Sequence, residues 1–189
     1  MNSTLVVFHS RSGHTRRVAK ALAERLNADV DEIVVHQRRD GPLGYVRCAL
    51  EAIGGCAASV RATKHDPSRY ERVIIGTPIW FWSLSSPVRA WVQSHHLGNA
   101  KLAFFCTMGG SGAEHAFEQL ESVCGRAPQA TLALTEAQLA SGVDAALTQF
   151  IGELQERPAR RAAPRKTRAA ARAAAAGPGF DLSRWRIRR

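Results

Sequence analysis

Leu5-Val6-Val7-Phe8-His9-Ser10-Arg11-Ser12-Gly13-His14-Thr15 decides the fold. Its first four residues are a short apolar run that reads as a buried strand. Beyond Thr15, apolar residues recur at Val18, Leu22 and Leu26, with Ala19 and Ala23 widening the stripe, as an amphipathic helix requires. Between the two lies a hydroxyl-rich turn with one glycine. Such a turn suits a phosphate, because free backbone N–H groups leave the helix start, the helix dipole favours an anion, and hydroxyls add donors. Ser10, Arg11, Ser12, Gly13, His14 and Thr15 are therefore candidate phosphate ligands. The competing reading is a polar turn whose Ser or Thr only caps the helix. The turn lacks the Gly-Lys-Ser/Thr ending of a triphosphatase loop and the three-glycine spacing of a dinucleotide site, which points to a single terminal phosphate.

Working outward, apolar runs recur at 30–35, 72–77, 101–106 and 130–134. Helical stripes separate them: a weaker one near 43–53, then Val88/Trp91/Val92, Phe117/Leu120/Val123 and Val143/Leu147/Phe150/Ile151/Leu154. Near-continuous apolar strands alternating with helices predict an α/β fold, a doubly wound five-stranded parallel sheet covered on both faces. Asp31 and Glu32 place the second strand at an edge, and the mild run Thr131–Leu134 places the last at the other. The expected strand order is 2-1-3-4-5. Ser86-Pro87 predicts a helix start, with Ser as N-cap and Pro in the first helical position.

In such a sheet, ligands sit beyond the carboxyl ends of the strands where the strand order reverses. Two more loops leave that edge. Thr77, Pro78, Ile79, Trp80, Phe81 and Trp82 offer flat apolar walls; Thr107, Met108, Gly109, Gly110 and Gly112 let backbone amides approach a ring closely. The plain alternatives are a strand-end aromatic core cluster and a tight turn before a helix. Together with the first loop they suit a planar cofactor bearing one phosphate. Gly109-x-Ser111 is not a nucleophile elbow, since Ala113 replaces the final glycine and no His follows His115. Thr77 stands where a response-regulator domain needs its Asp. His9 and His14 flank the first loop, His95-His96 suits a helix C-terminus, and Cys106 reads as a buried strand-end thiol. No metal-ligand set is visible, and no residue stands out as a general acid or base, so the catalytic residues are left unassigned.

These motifs resemble the flavodoxin family. Ser10-x-Ser12-Gly13-x-Thr15 matches its FMN phosphate loop; Gly76-Thr77-Pro78-Ile79-Trp80 and Phe105-Cys106-Thr107-Met108-Gly109-Gly110-Ser111-Gly112 match its two isoalloxazine loops. The resemblance covers about 1–154, lacks the long insertion in the last strand, and so is similar to the short-chain form. Gly41-Pro42-Leu43-Gly44-Tyr45, with Tyr70 before the third strand, is similar to a bacterial subgroup of the family. The resemblance implies a flavodoxin-like fold, FMN as cofactor and the loop residues above as its ligands. It also implies redox chemistry, with NAD(P)H or a partner protein as electron donor and a quinone or similar small molecule as acceptor. A one-electron carrier is the alternative.

Charge bears on that choice. Residues 157–189 hold eleven of the 26 Lys and Arg and one of the 16 acids, which leaves fifteen of each sign in residues 1–156. The body is neutral, unlike the strongly acidic carriers of the family. The expected organisation is a flavodoxin-like FMN-binding domain over 1–156 and a mostly disordered Ala/Arg/Pro-rich basic tail over 157–189. Such a tail suits non-specific contact with nucleic acid or an anionic membrane, which would make this a tethered binding protein, or it is a solvated extension without a partner. Four cysteines without CxxC spacing, no signal segment and no apolar run of about 18 residues lead to an expectation of a cytoplasmic protein with reduced thiols.

Overall fold

A computed structural model describes residues 3–35 and 60–156. Strand β1 (Thr4–Phe8) lies inside the sheet with all five residues buried. It pairs in parallel with β2 (Asp29–Glu32) on one side and β3 (Arg72–Trp80) on the other. Beyond β3 come β5 (Lys101–Met108) and β6 (Thr131–Thr135), also parallel. The order β2-β1-β3-β5-β6 is the expected one, with the acidic β2 and the mild β6 at the edges. An added two-residue strand, β4 (Ser83–Leu84), folds back antiparallel on the end of β3.

Side chains alternate across the strands, so each apolar run feeds two cores. Val6, Phe8, Ile74 and Phe105 face α1 (His14–Leu26) and α5 (Asp144–Glu156), meeting Val18, Leu22, Leu147 and Phe150. Val7, Val73, Ile75 and Phe104 face α2 (Ser86–Ser94) and α3 (Ala113–Cys124), meeting Val88, Trp91 and Leu120. Burying each large side chain is worth about 1.5–3 kcal/mol, which is why unbroken apolar strands settle at the centre of two layers of helix. Helix α1 ends at Asn27, held in the left-handed region at φ 47°, with its N–H on the Ala23 carbonyl. Asparagine is one of the few residues that tolerates that cap.

The structure adjusts several expected boundaries. Strand two runs 29–32 rather than 30–35, because after Ile33 N–H reaches the Phe8 carbonyl (2.7 Å) the chain leaves β1, and Val35 bridges Val60 instead. Strand three continues past 77 to Trp80, held by β5 as far as Pro78 and then by β4. The α2 N-cap is Ser85 rather than Ser86, and Pro87 falls one position later. A short helix, α4 (Glu136–Ser141), precedes α5. The helix expected near 43–53, Cys48 and Cys56, and the whole of 157–189 lie outside the described residues. Among those described, no helix is long and apolar enough to cross a membrane.

Candidate functional site

The carboxyl ends of β1, β3 and β5 converge on one cavity of about 490 Å³. Arg11, Ser12 and His14 form its polar end; Pro78, Ile79, Trp80 and Met108 form its apolar wall, with Thr107 and Gly109 between. Nine of the residues singled out from the sequence therefore share one recess. The others stand behind or beside it.

In the first loop, Ser10 Oγ accepts from Gly13 N–H and Arg16 N–H, both at 3.2 Å, and so shapes the turn from within. Gly13, at φ 94°, is the α1 N-cap, and a Cβ there would meet nothing within 4 Å. The space beside Gly13 is thus open, with the start of α1 directly behind it. The Thr15 and Thr107 hydroxyls, both buried, hydrogen-bond each other at 2.8 Å and so lock the first loop to the third. His9 Nδ1–H donates to the Ile33 carbonyl (2.8 Å), and its ring stands perpendicular to that of Trp80 at a centroid distance of 5.7 Å.

The second loop is a hairpin tip. Ile79 pairs with Leu84 and Trp80 with Ser83, leaving Phe81-Trp82 as the two turn residues, at φ 49° and 56°. A two-residue turn with both φ values positive normally carries Asn-Gly, and bulky side chains in that region are strained by about 1–3 kcal/mol each. Phe81 is 42% exposed and Trp82 61%, so burial of their rings does not offset the strain. Specific bonds do. Trp82 Nε1–H donates to Ser111 Oγ (2.9 Å), and Trp82 lies over Gly112, where a Cβ would stand 2.8 Å from its Cα. Behind the tip, Thr77 Oγ1 and Ser85 Oγ share a buried bond of 3.0 Å. Gln119 Oε1 on α3 accepts from Ser83 Oγ, Leu84 N–H and Arg89 Nη2, at 3.0, 3.0 and 2.9 Å.

That convergence makes Gln119 a clamp on the hairpin. Gln119→Leu is expected to lower stability by about 1–3 kcal/mol, since three donors lose their acceptor at once. Gln119→Glu keeps the acceptor oxygen and is expected to recover most of the loss. Denaturant midpoints of the two variants check this; equal losses would show that the acceptor oxygen is not what stabilises the hairpin.

Glu136 and Leu139 also line the cavity and were not singled out. They arrive on α4, whose start carries a capping box: Gln138 N–H donates to Thr135 Oγ1, and Thr135 N–H donates to Gln138 Oε1. The signal, Thr135-x-x-Gln138, is present in the sequence. Cys106 is fully buried on β5, and burial pushes its thiol up to about 12, so it supplies no thiolate near neutral pH. No group of three metal-ligating side chains occurs among the described residues.

The donor set fits a flavin mononucleotide. The recess has the volume of a small-molecule site, cationic and hydroxyl groups at one end, an indole wall at the other, and glycines 109 and 110 whose Cβ positions are open space. A family profile described as Flavodoxin matches residues 3–151. No curated protein matches the chain. Among solved structures, a flavoprotein from Lactobacillus acidophilus NCFM in complex with FMN is similar at 17% identity and a TM-score of 0.59, over 75% of this chain and 98% of that one. A Bacteroides uniformis protein is similar at 21% identity and a TM-score of 0.69, over 80% and 98%.

Proposed function

The chain belongs to the flavodoxin family, and from that premise we propose that it holds FMN in the recess at the carboxyl edge of the sheet. We propose further that it works as an FMN-dependent oxidoreductase reducing a quinone or similar small acceptor, with electrons from NAD(P)H or a partner protein. One observation carries this reading: a single cavity joins the phosphate-type turn 10–15 to the Trp80 wall and the 107–109 backbone. When bound, FMN supplies one- and two-electron redox chemistry.

The residues of the chain bind, orient and restrict access. Arg11, Ser12 and His14, with the amides at the α1 start, take the phosphate. Trp80 offers a flat wall to the ring, and the amides of 77–82 and 107–112 supply donors toward its polar edge. Phe81 and Trp82 stand exposed beside the recess and set what can approach. A planar acceptor can stack on such a rim, whereas residues 1–156 carry no net negative charge to steer a basic redox protein. The reading places the protein in the cytoplasm, where a buried, unpaired Cys106 stays reduced.

The test is the visible spectrum of the purified full chain after FMN is added and the excess removed, followed by NAD(P)H oxidation with and without a benzoquinone. Retained flavin and quinone-dependent turnover are expected. Folded protein that retains no FMN overturns the cofactor reading. Retained FMN with no turnover from any donor to any quinone overturns the reductase reading and favours the one-electron carrier.

A further inference from the structure

A second cavity, about 700 Å³, lies at the opposite edge of the sheet, where β3 and β5 begin. Three chain segments frame it through their backbones. Glu71 N–H and Arg72 N–H both donate to the Ser3 carbonyl, at 3.0 and 3.1 Å, and Lys101 N–H donates to the Glu71 carbonyl at 2.8 Å. Gly98 presses on the single helical turn Pro67–Arg69, where a Cβ would stand 3.1 Å from the Ser68 carbonyl oxygen. Into this fixed frame the chain places Arg69, Arg72 and Lys101, with Glu71 as the acid of the lining.

The register sets two of these cations side by side. Arg72 on β3 is the direct partner of Lys101 on β5, in strands roughly 4.8 Å apart. Partners in register project from the same face of a sheet, and like charges placed so repel. No carboxylate relieves the pair, since among the described residues neither side chain forms an ion pair. Arg72 Nη2 donates to the neutral carbonyl of Leu154 (3.1 Å), and its Nε is buried without a hydrogen-bond partner. Lys101 is exposed. Arg69 reaches Asp66 only across an exposed contact of 3.4 Å. An anion held by Arg72 and Lys101 together would offset their repulsion.

Three cations against one acid leave about two positive charges to be matched, the charge of a phosphomonoester at neutral pH. The cavity exceeds the size of one phosphate, and Ser3, Ser68, Tyr70 and His96 also line it. Burial, and then the bond its hydroxyl donates to Asp29 (2.8 Å), push Tyr70 up to about 12, so it adds no charge against an anion. We infer that this recess binds a small phosphomonoester, with its phosphate between Arg72 and Lys101 and within reach of Arg69. The cations converge in one recess rather than running as a stripe, which suits a compact ligand over a polymer backbone. Arg72 and Gly76 are four residues apart on β3, roughly 13 Å, so this recess and the flavin site are separate and can be filled together.

The experiment uses the full chain, loaded with FMN and freed of the excess, titrated calorimetrically with inorganic phosphate and with AMP. Saturable binding of one ligand per chain is expected. Tighter binding of AMP assigns the rest of the cavity to the body of the ligand, and equal affinities assign the recess to free phosphate. Lys101→Gln and Arg69→Gln are each expected to weaken binding at least about tenfold, the loss of one charge-assisted hydrogen bond. Lys101→Gln also removes the repulsion, so its thermal midpoint without ligand is expected to equal or exceed that of the parent. Arg17→Gln with Lys20→Gln, a larger charge change on the exposed face of α1, is expected to leave affinity unchanged. A parent without saturable binding, or recess variants that bind like the parent, overturns the inference; the latter result would place the ligand elsewhere on the chain. An α1 variant that weakens binding equally, or a Lys101 variant less stable than the parent without ligand, also overturns it.

Discussion

Gly76→Ala is expected to destabilise the protein by about 3 kcal/mol, at the upper end of what overpacking a core costs. Gly76 sits in β3 beside Phe105 in β5, and an alanine Cβ would stand 2.1 Å from Phe105 Cζ and 2.4 Å from Cε1. The ring cannot retreat. Phe105 is fully buried, and Val6, Phe8, Val18 and Leu22 belong to the same core. Nor is the backbone free to shift, because the Gly76 carbonyl accepts from His9 N–H (3.2 Å), the residue that opens the phosphate-type turn. The measurement is a pair of denaturation curves with a double-mutant cycle. Phe105→Leu alone loses part of a buried ring and is costly, yet adding it to Gly76→Ala is expected to restore stability relative to the single glycine variant. A coupling energy of at least about 1 kcal/mol between the two sites is the expected signature. Additive losses would show that the ring is not what forbids a side chain at Gly76.

The same glycine shows how far the sequence could be read. Gly76 belongs to a motif associated with a ring-binding loop, but its lack of a side chain serves a neighbouring strand, and that contact is invisible without the register. Strand order was legible because it depends on which runs are apolar on both sides and which carry charge: Leu5–Phe8 against Asp31 and Glu32. The three loops were legible because a doubly wound sheet gathers its strand ends at one edge. What escaped was non-local or unusual chemistry. The Thr15–Thr107 pair closes over 92 residues of chain, which no local pattern encodes. The hairpin at 81–82 was hidden because Phe-Trp occupies turn positions that Asn-Gly normally announces. Helix α4 carried its capping box openly, but six residues are too few for an apolar stripe to register.

Gly112→Ala is expected to weaken FMN binding at least tenfold, about 1.4 kcal/mol, while Gly110→Ala leaves stability unchanged. The contrast separates two reasons for glycine in one loop. At Gly110 a Cβ meets nothing within 4 Å, so the added methyl projects into open space and the fold is indifferent to it. At Gly112 two penalties coincide. Its φ of 103° is a backbone conformation that alanine adopts only with strain, and the new Cβ would lie 2.8 Å from Trp82 Cα and 2.9 Å from Cδ1. The first contact is with backbone, so the hairpin itself must move. Its tip already carries two aromatic residues in the left-handed region, held by the Trp82–Ser111 bond and by the Gln119 clamp. Pushing Trp82 away stretches the former and leaves the latter to bear the strain, and Trp80, two residues earlier, forms the wall of the recess. Stability and flavin affinity therefore fall together in Gly112→Ala. Thermal midpoints with and without FMN distinguish the cases: a Gly112 variant that binds FMN like the parent would mean that the hairpin tip does not shape the site.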